Sequence, residues 1–277
     1  AHLKTGDRVN ATLSPITTKG NTITIRKFAE TPWTIVDFLE LGTIDYSSAA
    51  IIWLAIQYEL SILVIGGTGS GKTSFLNVIS NFFPPNQRII SIEDTRELRL
   101  SDTLHWVPMS SRLPNPEGKG GITMLDCMVN TLRMRPDRII VGEVRRSEEL
   151  EVMFEAMHTG HSVYATFHAR DTTEGIARLT HPPINLSKIL LSSLGLVVVQ
   201  NRNRRTGERR TFQIAELTEN GEPNLLMQYN AKTKEMMNVN TPKRLFETLN
   251  IFTGLTEEDI YKDLDEKIMV LKWIVKN

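Results

Sequence analysis

Residues 60–80 read LSILVIGGTGSGKTSFLNVIS and constrain the fold of this 277-residue chain more than any other stretch. An apolar run stops at two glycines, and a helical pattern resumes at Lys72 after a glycine-rich turn. The spacing G-x-x-x-x-G-K-[ST] directs successive backbone N–H groups into one concavity that suits phosphate oxygens. The helix that follows adds the positive end of its dipole. The stretch therefore predicts a phosphate-binding loop between a buried strand and a helix.

Every residue of this loop is a candidate nucleotide ligand. The set comprises Gly66, Gly67, Thr68, Gly69, Ser70, Gly71, Lys72 and Thr73. We expect Lys72 to reach the β- and γ-phosphates of ATP and Thr73 to give its hydroxyl to Mg²⁺. A glycine-rich turn without a ligand is the alternative, which the preceding strand and following helix disfavour. Because kinases, helicases, transporters and secretion motors share this loop, it predicts ATP and Mg²⁺ but not the process they drive.

Strand and helix patterns alternate after the loop. The apolar runs RIISIED, DRIIVGE and SVYATF are typical of buried strands, and stretches with helical periodicity separate them. Such alternation predicts an α/β fold whose largely parallel sheet is covered on both faces, with ligand sites at the carboxyl ends of the strands. Residues 108–121 are rich in proline and glycine and predict a loop.

The two ends of the chain differ from this central part. Residues 1–28 carry two short β-like runs, which predict a β-rich fragment of an N-terminal domain within a longer protein. Residues 29–34 are expected to be a linker, and residues 35–277 a single domain that ends in a helical tail.

Composition limits the classes of partner and compartment. Lys plus Arg number 32, as do Asp plus Glu, so no bulk charge attracts nucleic acid or anionic lipid. The single Cys127 excludes a disulfide framework and a four-thiolate zinc site, and it fits a reducing compartment. The longest apolar stretch, residues 186–199, is too short for a membrane span and contains Lys188.

Acidic residues stand at the ends of two predicted strands. Glu93 and Asp94 end RIISIED, and Glu143 ends DRIIVGE. Because parallel strands present their carboxyl ends at one edge, these side chains are expected beside the phosphate loop. One carboxylate would hold Mg²⁺ through water, and another would orient or deprotonate the attacking water. The alternative is that these acids cap the following helices, which applies most to Asp94.

Four stretches occur in a defined order between residues 65 and 170: GGTGSGKT, IISIEDTREL, LRMRPDRIIVGEVR and TGHSVYATFHA. Together they resemble the type II/type IV secretion ATPase family, the hexameric motors of secretion systems, pili and archaella. The residues RELRL and WVPM after the second stretch are most similar to the archaeal branch. The resemblance implies a RecA-like P-loop NTPase core.

The same resemblance implies roles for single residues in the core. Glu93 would polarise the attacking water, and Glu143 would lie near Mg²⁺. His168, and less directly His161, would contact or sense the γ-phosphate, because a neutral imidazole offers one donor and one acceptor. For His161 the alternative is a residue at the end of a helix, since it follows Gly160.

The resemblance also implies a role for basic residues outside the core. Arg8 and Arg26 match arginines that neutralise phosphate charge on the next subunit's nucleotide, the arginine-finger role. The alternative is that they are solvated arginines on a strand face. The basic run NRNRRTGERR, residues 201–210, is interpreted as a charged, solvated turn rather than a contact to DNA or membrane.

The resemblance implies an ATP-hydrolysing homohexamer in the cytoplasm, bound peripherally at the inner face of the cell membrane through a polytopic membrane platform protein, with no nucleic acid partner. A RecA-type nucleic-acid translocase and a nucleotide-binding regulator with negligible turnover are the alternatives. The sequence leaves open whether secretion, pilus extension, pilus retraction or archaellum rotation is driven.

Overall fold

The computed structural model describes residue 3, residues 7–27 and residues 31–277. The chain divides into two compact units, residues 1–32 and residues 33–277. The first unit holds the antiparallel strands β1, Arg8–Thr12, and β2, Thr22–Arg26. The predicted linker, residues 29–34, lies partly outside the described residues, because residues 29 and 30 are not among them.

Nine strands form one sheet among the described residues of the second unit. They are β3 Ile62–Gly66, β4 Arg88–Glu93, β5 His105–Ser110, β6 Arg138–Val141, β7 Ser162–Phe167, β8 Leu196–Arg202, β9 Arg209–Leu217, β10 Pro223–Asn230 and β11 Glu235–Asn238. Their order is β11-β10-β9-β8-β3-β7-β6-β4-β5. The strands from β8 to β5 run parallel, whereas β9, β10 and β11 add antiparallel pairs at one side.

Helices cover both faces of this sheet. They are α1 Ile35–Glu40, α2 Tyr46–Gln57, α3 Lys72–Ile79, α4 Met124–Thr131, α5 Ser147–His158, α6 Thr172–Thr180, α7 Lys188–Leu191, α8 Arg244–Thr253 and α9 Glu257–Lys276. Val64 packs in one apolar cluster while its neighbours Leu63 and Ile65 pack in a second, because successive strand residues point to opposite faces. The predicted α/β fold with a mostly parallel sheet and a helical C-terminal end is confirmed.

Three strands, β5, β10 and β11, were not predicted from the sequence. Strand β5 extends into the proline- and glycine-rich stretch expected to be a loop, so that prediction is wrong for residues 108–110. Pro108 has no backbone N–H to donate to a neighbouring strand. It is tolerated because β5 is an edge strand, and one side of an edge strand pairs with no other strand. The short strand β11 lies at the other edge, and its pairing with β10 has no strong turn signature in the sequence.

Arg138 anchors the strand that leads to Glu143. Its side chain is fully buried at the start of β6, where Nη2 donates to the Ile56 carbonyl oxygen at 2.8 Å. The guanidinium also hydrogen-bonds Gln87 and the Tyr164 hydroxyl. These bonds hold a buried cation and thereby fix the position of β6 within the sheet. No helix in the described part of the chain has the length and hydropathy to cross a membrane.

Candidate active site

The phosphate loop connects β3 to α3 and needs glycine at specific positions. Gly69 and Gly71 have φ angles of 73° and 93°, in the left-handed region that favours glycine. A Cβ on Gly66 would collide with the Gln200 carbonyl oxygen on the neighbouring strand β8 and with Ser70 Oγ. The backbone thus adopts the tight turn that the G-x-x-x-x-G spacing predicts.

Lys72 lies in the first turn of α3 and folds back over this loop. Its Nζ donates to the carbonyl oxygens of Gly66 at 3.0 Å and Gly67 at 3.1 Å. Burial lowers the pKa of Lys72, and the nearby charge of Glu143 opposes that shift. Ser70 is buried, and its Oγ has no hydrogen-bond partner among the described residues. The loop therefore holds a cationic donor and an unsatisfied hydroxyl, both of which a phosphate group would satisfy.

Glu93 ends β4 and is 2% exposed. Its Oε1 accepts backbone N–H bonds from Glu97 at 2.9 Å and Leu98 at 3.1 Å. Its Oε2 is buried and has no hydrogen-bond partner in the described part of the chain. Burial raises the pKa of Glu93 to about 7, although the two backbone hydrogen bonds oppose this. A carboxyl group that ionises near neutral pH is suited to accept a proton from water.

Glu143 lies on the same edge of the sheet as Glu93. It follows β6 by two residues, and a Cβ on the intervening Gly142 would lie 3.0 Å from Glu93 Cγ. Arg145 bridges two acids here, with Nη2 2.5 Å from Glu143 Oε2 and Nη1 3.4 Å from Asp94 Oδ2. These ion pairs are solvent-exposed and leave the carboxylates available to another cation. The structure thus brings the predicted acids together.

The two predicted histidines lie at opposite ends of β7. His168 follows the strand, and its Nδ1 is 2.9 Å from the Gly66 carbonyl oxygen. His161 precedes the strand, with Nδ1 3.2 Å from the Ala156 carbonyl oxygen at the end of α5. Six strand residues separate them by about 20 Å. The structure brings His168 to the phosphate loop and does not bring His161 there, because His161 lies at the other end of β7. The contact of His161 with the γ-phosphate stays a prediction.

The basic hairpin between β8 and β9 contacts the loop, which sequence reasoning did not predict. Arg209 Nε donates to the Gly69 carbonyl oxygen at 3.0 Å. Residues 201–210 are mostly exposed, as a solvated turn requires, and Arg209 in addition contacts the phosphate loop. Parallel pairing of β8 with β3 places the hairpin at the edge that holds the loop. The position of the hairpin beside the loop follows from the order of the strands in the sheet, which one sequence alone does not reveal.

Arg8 and Arg26 lie in the first unit. They are directly opposite each other in the register of β1 and β2, so both side chains lie on one face of that hairpin. Their role toward a nucleotide stays a prediction.

Mg²⁺ in nucleotide sites takes one or two carboxylates plus phosphate oxygens and water, rather than a complete protein cage. The described residues contain no group of three or more His, Cys, Asp or Glu side chains that could hold a metal ion alone. Thr73 and Glu143 carry a hydroxyl and a carboxylate of the kind that such a site uses, and they stay the predicted Mg²⁺ ligands.

Residues 3–245 match the family described as Type II/IV secretion system protein. The chain belongs to this type II/IV secretion family. Type IV secretion system protein PtlH of Bordetella pertussis is 32% identical over 243 residues, which cover 76% of this chain and 71% of PtlH. Two longer relatives, uncharacterised proteins of Methanocaldococcus jannaschii, are 38% and 47% identical, and the chain spans 39% and 23% of their respective lengths.

Two solved structures share the fold of this type II/IV secretion family member. The VirB11 ATPase of the Brucella suis type IV secretion system aligns with a TM-score of 0.52 and 23% identity, covering 80% of this chain and 74% of VirB11. The pilus retraction motor PilT aligns with a TM-score of 0.54 and 18% identity, covering 94% of this chain and 78% of PilT.

Proposed function

We propose that this protein hydrolyses ATP to ADP and phosphate, with Mg²⁺, as the motor subunit of a secretion or type IV pilus system. The observation that carries the proposal is the buried Glu93 carboxylate on the edge that holds Lys72 and Glu143. Its pKa is raised to about 7, and its Oε2 has no hydrogen-bond partner among the described residues. Membership in the type II/IV secretion family supports the process. PtlH, VirB11 and PilT, whose names refer to secretion or pili, support it further.

The residues at the carboxyl ends of the parallel strands have different roles in hydrolysis. Lys72 would exchange the carbonyl oxygens of Gly66 and Gly67 for phosphate oxygens, and its charge would stabilise the negative charge of the transition state. Glu93 would orient the attacking water and accept its proton at Oε2. Mg²⁺, held through Thr73 and Glu143, would neutralise charge on the phosphates. His168, next to the Gly66 carbonyl, would contact the γ-phosphate.

The two alternative functions, a nucleotide-binding regulator and a nucleic-acid translocase, predict different ATPase activities. A nucleotide-binding regulator needs no proton acceptor, yet Glu93 is held by two backbone N–H groups at the site. A RecA-type translocase predicts ATPase activity that rises with nucleic acid, and net charge and the histidine stretch argue against it. We expect turnover without DNA or RNA and no stimulation when either is added.

His168 and His161 form a matched pair for testing the site. We expect His168→Gln to lower kcat for ATP by about 10- to 100-fold, because it removes a group beside the loop that the reaction uses. His161→Gln should leave kcat within about 2-fold, because His161 lies at the far edge of the sheet. Steady-state phosphate release measures both, and equal losses in the two variants would contradict the assignment.

We further propose a homohexamer that acts at the inner face of the cell membrane and binds a polytopic membrane protein of the system. In this arrangement Arg8 and Arg26 reach the nucleotide of the next subunit. They lie directly opposite each other on one face of the β1–β2 hairpin, so both guanidinium groups are presented together.

The shared site predicts that activity depends on assembly. Specific activity should fall as protein is diluted through the concentration at which light scattering shows dissociation. The variants Lys72→Gln and Arg8→Gln/Arg26→Gln should each have little activity, and mixing them should restore part of it, because some interfaces then combine intact halves. Lys19→Gln, at a surface position in the same unit, is the control. Constant specific activity down to the monomer, or no restoration on mixing, would contradict the shared site.

A further inference from the structure

We propose that the β8–β9 hairpin supplies two arginines to the nucleotide site, a binding residue, Arg202, and a positioning residue, Arg209. Arg202 binds a phosphate of the nucleoside di- or triphosphate, and Arg209 fixes the conformation of the phosphate loop. This inference rests on the proposed function of that loop.

The sheet brings the hairpin to the loop. Strand β8 pairs with β3 so that Gln200 is opposite Gly66, the last residue of β3. The chain then continues past Gln200 on the same side as the phosphate loop. Arg202 and Arg209 are directly opposite each other at the ends of β8 and β9, so their side chains lie on one face. Both guanidinium groups therefore belong to the edge of the sheet that carries Lys72 and Glu93.

Arg209 lies against the loop between its two left-handed glycines. Its Nε donates to the Gly69 carbonyl oxygen at 3.0 Å, and a Cβ on Gly71 would lie 3.3 Å from its Cδ. In a trans peptide the carbonyl and the following N–H point in opposite directions, so this bond turns the Ser70 N–H away from Arg209. The Ser70 N–H donates to the Gly67 carbonyl oxygen at 3.3 Å and closes the turn. Arg209 thus holds the peptide between Gly69 and Ser70, which shapes the loop whose N–H groups bind phosphate.

Arg202 lies close to the same phosphate loop and carries a positive charge. A Cβ on Gly69 would lie 3.3 Å from Arg202 Nη1. Within the described residues no hydrogen bond or ion pair satisfies its guanidinium, whereas Arg209 and Arg210 each bond a carbonyl. Two arginines directly opposite each other repel unless an anion lies nearby. A guanidinium matches phosphate oxygens with a planar pair of donors, so a nucleotide phosphate fits this position.

The base of the hairpin is fixed to the rest of the domain. Arg210 Nη1 donates to the Leu41 carbonyl oxygen at 2.8 Å, and the Thr211 N–H donates to the Thr43 carbonyl oxygen at 2.7 Å. The segment between α1 and α2 thereby holds β9 in place. Arg202 and Arg209 are consequently presented from a rigid base, which reduces the conformational entropy lost on binding.

The same run provides matched controls. Arg204 and Arg205 lie in the turn of the hairpin, are exposed, and make no side-chain hydrogen bond or ion pair with the described residues. Substituting them changes the net charge of the hairpin as much as substituting Arg202 does. They therefore separate a site effect from a general electrostatic effect.

The test measures affinity of the full chain for a fluorescent ATP analogue, with ATP and ADP as competitors, at two salt concentrations. We expect Arg202→Gln to weaken binding of both nucleotides about 10-fold, with a smaller salt dependence and an unchanged melting temperature. Arg202→Lys should recover part of the affinity, because it restores the charge without the planar pair of donors. Arg204→Gln and Arg205→Gln should bind like the wild type.

The role of Arg209 is tested by KM for ATP, which depends on the conformation of the phosphate loop. Arg209→Gln should raise KM for ATP about 10-fold at an unchanged melting temperature. Arg209→Lys should bring KM most of the way back, because Nζ can still donate to Gly69.

The inference would be overturned if Arg202→Gln and Arg204→Gln had equal affinity for the nucleotide, whether both are normal or both weakened. If the wild type bound no nucleotide, the proposed function itself would fail, which is a distinct outcome.

Discussion

Lys72→Gln is expected to lower the rate of ATP hydrolysis by about 10³-fold. Its ammonium group lies over the phosphate loop, 3.0 Å from the Gly66 carbonyl oxygen. Removing one preorganised donor to developing negative charge costs about 10²- to 10³-fold in kcat, and Lys72 also carries a full positive charge. Phosphate release at saturating ATP measures the loss.

The loss should occur without loss of the fold. Burial lowers the pKa of Lys72, which shows that the folded state disfavours its charge, so a neutral Gln should leave the melting temperature unchanged or raise it. Lys119→Gln, at an exposed lysine of the loop after β5, is the matched control and should hydrolyse ATP normally. Normal turnover by Lys72→Gln would contradict the role of the loop.

Glu93→Gln is expected to abolish most turnover while preserving nucleotide binding. General base catalysis contributes about 10²- to 10⁴-fold, and Gln cannot accept a proton. It keeps a carbonyl oxygen for the N–H groups of Glu97 and Leu98, so the site geometry should persist. Affinity for ATP should stay within about 3-fold, because the substitution removes a group needed only in the reaction. Glu155→Gln, on an exposed face of α5, is the control.

The raised pKa of Glu93 also predicts how Glu93→Gln changes the free energy of unfolding at different pH values. Because its pKa rises from 4.5 in the unfolded chain to about 7 in the fold, the folded state binds more protons between these values. The free energy of unfolding therefore falls as pH rises from about 4.5 to about 7, and the loss persists above 7. Gln has no charge to bury, so Glu93→Gln should be more stable than the wild type at pH 8, by at most about 3 kcal/mol.

That gain should vanish at low pH. Near pH 4 the wild-type carboxyl is protonated in both states and resembles the amide. Thermal unfolding of both proteins at the two pH values measures the difference. A lower melting temperature for Glu93→Gln at pH 8 would show that the carboxylate stabilises the fold, contrary to the burial of an oxygen that no described residue pairs.

The sequence predicted the residues whose positions follow from a general rule of parallel sheets. Glu93 ends a strand, Glu143 and His168 lie within two residues after one, and the carboxyl ends of parallel strands meet at one edge of the sheet. His161 belongs to the same stretch as His168, but it stands before the strand. A strand separates its two ends by its full length, so a motif that spans a strand places its members on opposite edges.

Other features depend on the order of strands, which the sequence does not display. Strand β8 lies beside β3 although more than a hundred residues separate them in the chain. Only that pairing turns the basic hairpin from a solvated turn into a neighbour of Gly69. The strand β5 was missed because Pro108 normally ends a strand, and only its place at the sheet edge makes it acceptable.

Phosphate release from ATP and Mg²⁺, measured from about pH 5 to about pH 9 on the assembled wild-type protein and on Glu93→Gln, tests the central claim most directly. The wild-type kcat/KM should rise with pH as Glu93, whose pKa burial raises to about 7 in the nucleotide-free protein, loses its proton, and Glu93→Gln should keep a low rate throughout while still binding ATP. A wild type that binds ATP but releases no phosphate, or a Glu93→Gln variant with the wild-type rate and pH profile, would contradict it.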